Sequence, residues 1–415
     1  MISKNEKIKV GVVGVGRGKS FMGRATDLIG MELVAICDKW EEKLNEVGRE
    51  YPVATYTDYD KFLEHDMDAV ILANYFHEHA PFAIKALAAG KHVMTETACN
   101  ATLAEGVALC RAVEASGKIY MLAENYPYVV MNQELKRLYE AGEIGEALYA
   151  EGEYIHPMER KAILRISPGL DHWRNNIPST YYCTHALAPL MFVTGLEPVA
   201  VNGFSLAFPQ YTKPAKKGDL ASVIICRMNN GAVFRLAQGG LGGHSVWYRI
   251  HGPSGGIETT RGHGYWGPGQ VRVWHEPWML QPGQVEEKSY VPEWPDHADL
   301  AKQAGHGGGD FWTNLHFARA IRSGEQPYLD VYRGVSMSSV GILAWKSALQ
   351  NGAPVDMPDF RDEKSRKAYE HDNWSSLPKF AAPGQPPAST LGEVAISEEA
   401  LAEAQQVWRE NGYEG

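Results

Sequence analysis

Two pairs of side chains near the middle of the sequence have spacings that place them on shared surfaces. Tyr182 and His185 are three residues apart, one helical turn, and Tyr154 and His156 are two apart, on one face of a strand. Histidine, with an ordinary pKa of about 6.5, is suited to exchange protons near neutral pH. Ionising an isolated tyrosine at about pH 7 costs roughly 4 kcal/mol, so a tyrosine base needs a nearby positive charge. His185 is therefore the first candidate for proton transfer.

A glycine-rich turn near the N-terminus has the features of a dinucleotide-binding site. Gly14 and Gly16 follow a predicted strand, Ile8–Val13, and allow backbone N–H groups to approach a pyrophosphate at the start of a helix. Asp38 follows Gly14 by 24 residues, at the end of the second predicted strand, where it can accept hydrogen bonds from the adenosine ribose. An acid there repels a 2′-phosphate by about 1 to 4 kcal/mol at about 4 Å. The sequence therefore favours NAD over NADP.

The turn departs from the usual G-x-G-x-x-G pattern, because Lys19 stands where the third glycine is expected. Arg17 and Gly18 lie in the same turn and are predicted to belong to the cofactor site. Two cations leave the NADP alternative open, since Arg17 and Lys39 could each meet a phosphate. A glycine-rich turn without a ligand is the structural alternative, and the position of the motif between a strand and a helix argues against it.

Residues 1–125 are predicted to form a Rossmann domain with a parallel sheet, because short apolar runs alternate with helical patterns. The predicted strands are Ile8–Val13, Glu32–Cys37, Ala69–Leu72, His92–Thr95 and Ile119–Ala123. The predicted helices are Arg17–Ile29, Glu41–Glu50, Glu78–Ala89 and Thr102–Ser116. Thr102 and Glu105 form a T-x-x-E capping box at the start of the last of these helices.

Residues 126–415 are predicted to form an α+β domain on a large open, mainly antiparallel sheet, because apolar and polar residues alternate along several runs. These runs are Ala147–His156, Ser222–Met228, Ala232–Gln238 and Val246–His251. Later helices are predicted over Phe311–Ser323, with Asp310 as its N-cap, Val331–Gln350 and Glu398–Glu410, with a Pro- and Gly-rich C-terminal wrap over Pro354–Gly392. A free sheet face is commonly buried against a second subunit, so we expect a homo-oligomer.

Composition argues against several classes of protein. The chain has 415 residues and a formal net charge of −10, without the clustered Lys and Arg that nucleic-acid binding requires. Its five cysteines have no CxxC spacing, and His77 and His79 do not converge on a metal. No run approaches the roughly 18 apolar residues that span a bilayer. The first strand leaves no room for an apolar signal segment, so we expect a cytoplasmic protein without metal, membrane or nucleic-acid partners.

Two segments of the first domain carry a family pattern. They are Ile71-Leu-Ala-Asn74-Tyr-Phe-His77-Glu-His79 and Ala86-Leu-Ala-Ala-Gly-Lys-His92-Val-Met-Thr-Glu96. Both resemble the glucose-fructose oxidoreductase and inositol dehydrogenase family (Gfo/Idh/MocA), and the resemblance extends through the late helices. It implies that Asn74, His79 and Glu96 lie in an NAD site.

The sequence departs from that family at two catalytic motifs. Members ordinarily have Glu-Lys-Pro after the fifth strand and Gly-x-His-x-x-Asp at a helix start in the second domain. Here the corresponding segments are Glu96-Thr97-Ala98 and Cys183-Thr-His185-Ala-Leu-Ala188. Of the Lys, Asp and His that assist alcohol oxidation in the family, only His185 remains.

Five short motifs narrow the resemblance. They are Glu124-Asn125, Tyr154-Ile-His156, Arg174-Asn175, Tyr182-Cys-Thr-His185-Ala-Leu-Ala-Pro189 and His306-Gly-Gly-Gly-Asp310. Together with the two departures they resemble one branch, the NAD-dependent α-N-acetylgalactosaminidases and their sugar-cleaving relatives. The resemblance implies oxidation of a glycoside at sugar carbon 3, elimination of the glycosidic oxygen, addition of water and reduction, with NAD retained. NAD-dependent glycosidases need no pair of carboxylates.

The resemblance also implies catalytic roles for four residues. His185 would take the proton of the sugar hydroxyl, with Tyr182 one turn before it. Tyr154 would remove the proton from sugar carbon 2. Glu124 would polarise or orient the sugar.

Three residues are predicted to bind the carbohydrate. Arg174 would hold a substituent through its fork of N–H donors, and His156 and Trp173 would contact the sugar, whose apolar face stacks on aromatic rings. Each assignment has a structural alternative: His185 as a helix-cap residue, Tyr154 as a packing residue and Arg174 as a surface ion-pair partner.

Three functions compete at this stage. The first is an NAD-dependent glycosidase that keeps its cofactor. The second is an NAD-dependent sugar or polyol dehydrogenase with an altered set of bases. The third is a non-catalytic protein that binds NAD or a sugar, which the missing Lys and Asp also favour.

Overall fold

A six-stranded parallel sheet lies at the centre of the N-terminal part of the chain. The computed structural model describes residues 6–207, 214–262 and 264–413. The strands of this sheet are β1 (Ile8–Val13), β2 (Met31–Cys37), β3 (Ala54–Tyr56), β4 (Ala69–Leu72), β5 (His92–Thr95) and β6 (Tyr120–Leu122). Their order across the sheet is β3-β2-β1-β4-β5-β6, and neighbouring strands are parallel. This order confirms the predicted Rossmann fold.

The parallel strands bring four predicted cofactor residues to one edge of the sheet. Gly14 directly follows β1 and Asp38 directly follows β2. Asn74 lies two residues after β4, and Glu96 directly follows β5. The carboxyl ends of parallel strands meet at the same edge, which is where open α/β sheets bind their ligands.

The helices around this sheet include one correction to the sequence prediction. They are α1 (Arg24–Leu28), α2 (Glu41–Glu50), α3 (Tyr59–Leu63), α4 (Phe76–Ala88) and α5 (Leu103–Ser116). The single helix predicted over Arg17–Ile29 is wrong: a 3₁₀ helix covers Arg17–Phe21, and α1 starts only after Gly23. The φ of Gly23 is +86°, which breaks the helical path.

The N-cap role predicted for Thr102 at the start of α5 is confirmed. Thr102 is the N-cap, and its Oγ1 accepts a hydrogen bond of 3.1 Å from the backbone N–H of Glu105. The Glu105 carboxylate in turn accepts from the backbone N–H of Ala101 at 2.9 Å. Gly117 ends the helix with φ +61°, a left-handed conformation that glycine adopts readily.

A nine-stranded sheet forms the centre of the remaining chain. Its strands are β7 (Tyr149–Ile155), β8 (Pro198–Leu206), β9 (Ala221–Met228), β10 (Val233–Gly239), β11 (Ser245–Gly252), β12 (Gly255–Thr259), β13 (Val271–His275), β14 (Glu287–Tyr290) and β15 (Val355–Asp356). The order is β14-β13-β12-β11-β7-β10-β9-β8-β15. Strands β7 and β10 are parallel, and the other neighbours are antiparallel. The predicted mainly antiparallel sheet is confirmed.

Longer and shorter helices complete the fold. The α-helices are α6 (Val130–Glu140), α7 (Arg160–Arg165), α8 (Trp173–Asn176), α9 (Thr184–Thr194), α10 (Ala298–Ala301), α11 (Gly309–Ser323), α12 (Val331–Ala348), α13 (Glu363–Lys367) and α14 (Glu398–Glu410). Further 3₁₀ helices cover Tyr126–Tyr128, Ser179–Tyr182, Pro277–Met279, His306–Gly308 and Pro378–Phe380. Helix α14 has the predicted bounds.

Contacts within the chain define two units. The first comprises Met1–Val130, Glu293–Ser338 and Asp359–His371. The second comprises Met131–Pro292, Ser339–Pro358 and Asp372–Gly415. The first unit therefore includes late segments of the sequence, and the predicted division into domains at residue 125 stays a prediction.

Strand β7 of the second unit directs side chains to two different environments. Helix α9 packs against β7, β10 and β11. Tyr154 lies on the side of α9, since its ring centroid is 4.5 Å from that of His185. The neighbouring Glu153 points to the opposite face, where it accepts hydrogen bonds from Arg235 and Arg261. The alternation along one strand thus separates an aromatic cluster from a charged surface.

Candidate functional site

The glycine turn after β1 has the shape of a dinucleotide cradle. Gly14 has φ +88°, and a Cβ atom there would lie 2.5 Å from the carbonyl oxygen of Ala73. A Cβ atom on Gly16 would meet no described atom within 4 Å, so the space above the turn is open. The Asp38 carboxylate accepts the backbone N–H of Val15 at 2.9 Å, which fixes the acid beside the turn. The turn therefore fits the close approach of a pyrophosphate, with an acid placed for a ribose.

Gly18 performs the packing role of the missing third glycine. A Cβ atom there would lie 2.7 Å from Cγ1 of Val12. The segment after the turn therefore packs closely on β1, as the third glycine of the usual motif allows, but one position earlier. Lys19, which stands at the usual position, pairs with Glu50 at 2.5 Å.

Arg17 is held in a network of ion pairs within the first unit. Its Nε donates to Glu96 at 2.6 Å, and its two terminal nitrogens donate to Asp310 at 2.7 and 3.1 Å. Burial favours the neutral form of Asp310, but hydrogen bonds from His306 and Arg17 hold its pKa well below the usual value. The alternative in which Arg17 meets a 2′-phosphate loses support, because two carboxylates already neutralise its charge.

The role predicted for Asp310 as a helix N-cap is wrong. The N-cap of α11 is Gly308, and Asp310 lies in the first helical turn, with a side chain that is 1% exposed. Its carboxylate serves Arg17, Asn125 and His306 instead of the backbone at the helix start. Three strong side-chain donors compete here with the backbone N–H groups that an N-cap would serve.

His79 lies buried between two carbonyl oxygens of the first unit. Its Nδ1 is 2.8 Å from the oxygen of Ala98, and its Nε2 is 3.3 Å from that of Asn74. Burial lowers the pKa of His79. His79 therefore links the segments that follow β4 and β5.

The Glu78 carboxylate binds two of the residues considered for the cofactor site. Asn74 donates to it at 3.0 Å, and Lys39, the other predicted phosphate partner, pairs with it at 2.6 Å.

In the second unit the structure brings together the predicted catalytic residues of that unit. The ring centroids of Tyr154 and His185 are 4.5 Å apart, and those of Tyr182 and His185 are 6.3 Å apart. His156 lies beside Tyr154, with a centroid distance of 5.4 Å. The Tyr248 hydroxyl donates to the carbonyl oxygen of His185 at 2.7 Å, which fixes the start of α9. Two tyrosines and two histidines thus share one surface, as their spacing predicts.

Arg174 and Trp173 adjoin this cluster. The Arg174 guanidinium lies 4.2 Å from the Trp173 ring centroid and donates a hydrogen bond to the Tyr182 hydroxyl. Trp173 and Tyr182 are stacked, with an interplanar angle of 19°. The guanidinium thus supplies a positive charge and a hydrogen-bond donor beside the Tyr182 hydroxyl.

Glu124 belongs to the first unit and is fully buried there. Its Oε1 accepts from the backbone N–H of Tyr126 at 3.3 Å. The next residue, Asn125, donates to Asp310 at 2.9 Å. Glu124 therefore directly precedes, in the sequence, a residue of the Arg17 network.

Sequence reasoning did not single out two residues that extend the second cluster. His244 lies 4.8 Å from both His156 and Tyr265, measured between ring centroids. Both His244 and Tyr265 also line a cavity of about 280 Å³ with Trp247 and Arg261. Tyr265 was visible only as one aromatic residue among many, and His244 only as a histidine after two glycines.

Within the described ranges no group of three His, Cys, Asp or Glu side chains is arranged to hold a metal ion. Among the residues that the structure places, no helix combines the length and apolar character needed to cross a membrane.

Two family profiles match different parts of the chain. Residues 8–124 match the Gfo/Idh/MocA oxidoreductase family, NAD-binding Rossmann fold. Residues 193–367 match the C-terminal domain of glycosyl hydrolase 109. Together they cover both the glycine turn and most of the second sheet.

Similar whole-length proteins agree with these matches. A "Glycosyl hydrolase family 109 protein" of Solibacter usitatus is 26% identical over 398 residues, which cover 86% of this chain and 89% of that relative. A protein of the same description from Saccharopolyspora erythraea is 25% identical over 405 residues, covering 86% and 84%.

Solved structures show the same fold at lower identity. Levoglucosan dehydrogenase in complex with NADH and levoglucosan has a TM-score of 0.72 and 22% identity, and the match covers 85% of this chain and all of that one. The aldose-aldose oxidoreductase of Caulobacter crescentus, in complex with glycerol, has a TM-score of 0.68 and 19% identity, with 85% and 100% covered.

Proposed function

The chain joins a Gfo/Idh/MocA NAD-binding Rossmann domain to a glycosyl hydrolase 109 C-terminal domain, and from this premise we propose that it cleaves glycosides with NAD retained. The observation that carries the proposal is the cluster of Tyr154, Tyr182 and His185, with Arg174 bound to one phenol. These groups can move protons without the Lys and Asp of ordinary members of the family.

We assign the cofactor to the first unit. NAD, when bound, supplies a hydride acceptor and later a hydride donor, so that sugar carbon 3 can be oxidised and reduced within one turnover. Gly14, Gly16 and Gly18 form the cradle, and Asp38 meets the adenosine ribose. Asn74, His79, Glu96 and Arg17 complete the site at the carboxyl edge of the sheet, as proposed from the sequence.

We assign two proton transfers to the second unit. His185 takes the proton of the carbon 3 hydroxyl as that carbon is oxidised to a carbonyl. The carbonyl acidifies the carbon 2 proton, which Tyr154 removes, and the bond between carbon 1 and the glycosidic oxygen breaks. Water then adds across the double bond: its hydroxyl goes to carbon 1 and its remaining proton to the departing glycosidic oxygen, while Tyr154 returns its proton to carbon 2. His185 returns its proton to the carbon 3 oxygen as that carbon is reduced again. The two side chains lie next to each other, with a ring-centroid distance of 4.5 Å.

Arg174, Trp173 and His156 are proposed to hold the sugar. Arg174 has its guanidinium between a tryptophan face and the Tyr182 hydroxyl, so its remaining N–H donors have a fixed direction. Trp173 and His156 supply ring faces beside the reacting side chains. Glu124, which is buried in the first unit, is proposed to orient the sugar through an oxygen of its carboxylate.

Incubation of the purified protein with a panel of glycosides in deuterium oxide tests this function. We expect release of free sugar with one deuterium at carbon 2 and no net NADH, because elimination exchanges that proton with solvent while the hydride returns. Mass spectrometry of the product and absorbance at 340 nm measure the two quantities, and the same panel in ordinary water is the control. Net NADH without cleavage would instead establish a sugar or polyol dehydrogenase. Tight NAD binding without any turnover would establish a sensing or binding protein.

We also propose that the protein is a homo-oligomer. Phe204 and Leu206 on β8 are 52% and 36% exposed and lie on the same face, where they adjoin Val223 and Ile225 of β9. An apolar face of a large sheet is typical of a surface that a second subunit covers.

Light scattering measures the oligomeric state directly. We expect a mass above the 45.9 kDa of one chain and a shift toward one chain in the variant Phe204→Glu. Leu148→Glu is the matched control, because Leu148 is also exposed, at 55%, but precedes β7. A monomeric wild type would refute the proposal.

The cysteines support a reducing compartment. The structure describes all five, and no disulfide joins them. We therefore retain the cytoplasm as the proposed location.

A further inference from the structure

A cavity of about 280 Å³ lies in the second unit, near the end of β7 and the start of β11. Glu153 of β7 and Trp247 of β11 form part of its wall. Arg261 and three glycines, which belong to the connection between β12 and β13, form another part. The reaction proposed above uses none of these side chains.

The glycines give the connection between β12 and β13 a compact shape. Gly267 has φ +59°, and a Cβ atom there would lie 2.5 Å from the carbonyl oxygen of Thr260. A Cβ atom on Gly262 would lie 2.6 Å from Cδ of Pro268. Gly264 differs, since a Cβ atom there would meet no described atom within 4 Å. The connection therefore packs closely on itself at Gly262 and Gly267 and leaves open space at Gly264.

Arg261 is held in place by an aromatic ring and one carboxylate. Its guanidinium carbon lies 3.7 Å from the Trp247 ring centroid, and its Nη2 donates to Oε1 of Glu153 at 2.7 Å. In the part of the chain that the structure describes, Nε and Nη1 of Arg261 donate no hydrogen bond. The side chain is 56% exposed. Contact with the ring restricts the guanidinium, and most of its N–H donors remain for a ligand.

Glu153 already serves three donors. Its Oε1 accepts from Arg261 at 2.7 Å and from Arg235 at 3.2 Å, and its Oε2 accepts from the hydroxyl of Ser245 at 2.8 Å. Arg235 has a second carboxylate partner in Glu151, whereas Arg261 contacts Glu153 alone among the described carboxylates. The charged part of the wall thus offers more donors than acceptors. Such a surface suits a ligand with negatively charged acceptor oxygens.

The Trp247 ring is covered by guanidinium groups. Those of Arg261 and Arg249 lie 3.7 and 5.1 Å from its centroid. A neutral sugar binds tryptophan by stacking its apolar face on the ring, and here Arg261 takes that place. The same guanidinium is well suited to an oxyanion, because two parallel N–H groups match two oxygens. The cavity therefore favours an acidic ligand over a neutral one.

Two aromatic residues connect the cavity with the cluster around Tyr154. His244 and Tyr265 line the cavity, and their ring centroids lie 4.8 and 5.4 Å from that of His156. The His156 ring in turn lies 5.4 Å from that of Tyr154. All of these residues belong to the second unit. His156 therefore lies between the cavity wall and the tyrosine assigned to the carbon 2 proton, so a substrate at Tyr154 has the cavity as its neighbour.

We propose that the cavity is a subsite for the leaving group of the glycoside, and that Arg261 binds an oxyanion, a carboxylate or a sulfate, on that group. The inference rests on the proposed glycosidase function and names its substrate class as glycosides with an acidic leaving group. When the bond between carbon 1 and the glycosidic oxygen breaks, that oxygen receives a proton from water. The leaving group departs as an alcohol that keeps its acidic substituent.

Calorimetric titration of the purified full-length protein tests the subsite with defined probes. D-glucuronate carries a carboxylate where D-glucose carries a hydroxymethyl group, and D-glucose 6-sulfate carries a sulfate ester there. We expect the acids to bind the wild type at least about tenfold more tightly than D-glucose, because the Arg261 fork forms charge-assisted hydrogen bonds. Arg261→Gln should remove this difference. Arg261→Lys, which keeps the charge without the fork, should retain part of it.

The outcomes separate the sources of the oxyanion. Tight binding of only one of the two acids would identify carboxylate or sulfate as the substituent. Sodium sulfate is the fourth probe, and we expect it to bind more weakly than D-glucose 6-sulfate. Equal affinity for these two would indicate a site for free anions and overturn the leaving-group assignment. Equal affinity of the wild type for D-glucuronate and D-glucose would overturn the whole proposal.

Arg272→Gln is the matched control for the charge. Arg272 lies on β13 of the same sheet, 5.0 Å from the Trp274 ring centroid, and pairs with Glu258 and Glu287. It does not line the cavity. We expect this variant to bind both acids like the wild type. Equal losses in Arg261→Gln and Arg272→Gln would show a general effect of charge and contradict the role of Arg261.

Nitrogen-15 NMR of the tryptophan indoles locates the bound acid. Trp247→Phe and Trp173→Phe identify the signals of these two residues by their disappearance. We expect D-glucuronate to shift the Trp247 signal of the wild type, because the bound charge lies beside that ring, and D-glucose to leave the signal in place. A shift of the Trp173 signal alone would place the acid at Arg174 and refute the assignment to the cavity.

Cleavage kinetics test the link to the leaving group. Two disaccharides that share the sugar to be released but have D-glucuronate or D-glucose as the leaving group provide the comparison. We expect kcat/KM to be at least about tenfold higher for the acidic disaccharide, and this ratio to fall to about one in Arg261→Gln. The same ratio in wild type and variant would refute the leaving-group assignment. If no glycoside is cleaved, the proposed function fails, while calorimetry still decides whether the cavity binds an oxyanion.

Discussion

Replacing Tyr154 by Phe is expected to lower kcat for glycoside cleavage by about 1,000-fold, within the range of about 10² to 10⁴ for the loss of a general acid or base. The variant keeps the ring that packs beside His185 and removes only the hydroxyl. The carbon 2 proton then has no acceptor, so carbonyl formation at carbon 3 can proceed while elimination stops. Steady-state kinetics measure kcat, and a rapid-mixing experiment should detect NADH that forms once and persists.

Tyr149→Phe is the matched control for this prediction. Tyr149 lies on the same strand, but five residues away and therefore on the opposite face, where it contacts His251. Loss of the Tyr149 hydroxyl should leave kcat within about twofold of the wild-type value. A Tyr154→Phe variant that retains a tenth of the activity would contradict the assigned role, and His156 or Tyr182 would become the candidate base.

Replacing Gly14 by Ala is expected to abolish NAD binding at ordinary cofactor concentrations. The new Cβ atom would lie 2.5 Å from the carbonyl oxygen of Ala73, and the φ of +88° disfavours any side chain. We expect the affinity for NAD to fall at least about 100-fold, or about 2.7 kcal/mol, because the turn must move. The free energy of unfolding should also fall by about 1 to 3 kcal/mol. Calorimetric titration and urea unfolding measure the two effects.

Gly16→Ala separates the ligand effect from the strain. A Cβ atom on Gly16 meets no described atom within 4 Å, and this residue has φ −74°, so the variant should unfold like the wild type. Its methyl group still occupies space above the turn, where a pyrophosphate would approach, so NAD affinity should fall. Wild-type NAD affinity in both variants would contradict the position assigned to the cofactor.

Five of the six strands of the Rossmann sheet, and the edge at which they end, could be predicted from local sequence alone. Thr102 and Glu105 cap α5 through hydrogen bonds over three residues, and such short-range interactions leave a clear sequence pattern. The helix predicted over residues 17–29 is divided at Gly23, whose φ is +86°. The helical pattern continues on both sides of this glycine, so the sequence does not indicate the break. The sequence does not predict strand β3 or helix α3, because they contain only three and five residues and are too short to show a periodic pattern.

The candidate site was predictable where spacing determines proximity. Tyr154 and His156 share a strand face, and Tyr182 and His185 share a helical turn, so each pair had to meet one surface. The approach of Tyr154 to His185 depends on how α9 packs on β7, which no local pattern encodes. The role of Asp310 could not be predicted either, because its partner Arg17 is 293 residues away in the sequence.

The pairing of Arg17 with Asp310 has a consequence for biosynthesis. The cofactor cradle is synthesised before α11, so its arginine receives its second carboxylate only after α11 has been made. Of its two carboxylate partners in the folded unit, only Glu96 is present before then, and the loop closed by the Arg17–Asp310 pair spans 293 residues. The nucleotide-binding unit is therefore topologically discontinuous, and its completion on the ribosome must wait for a residue that lies 293 positions after Arg17.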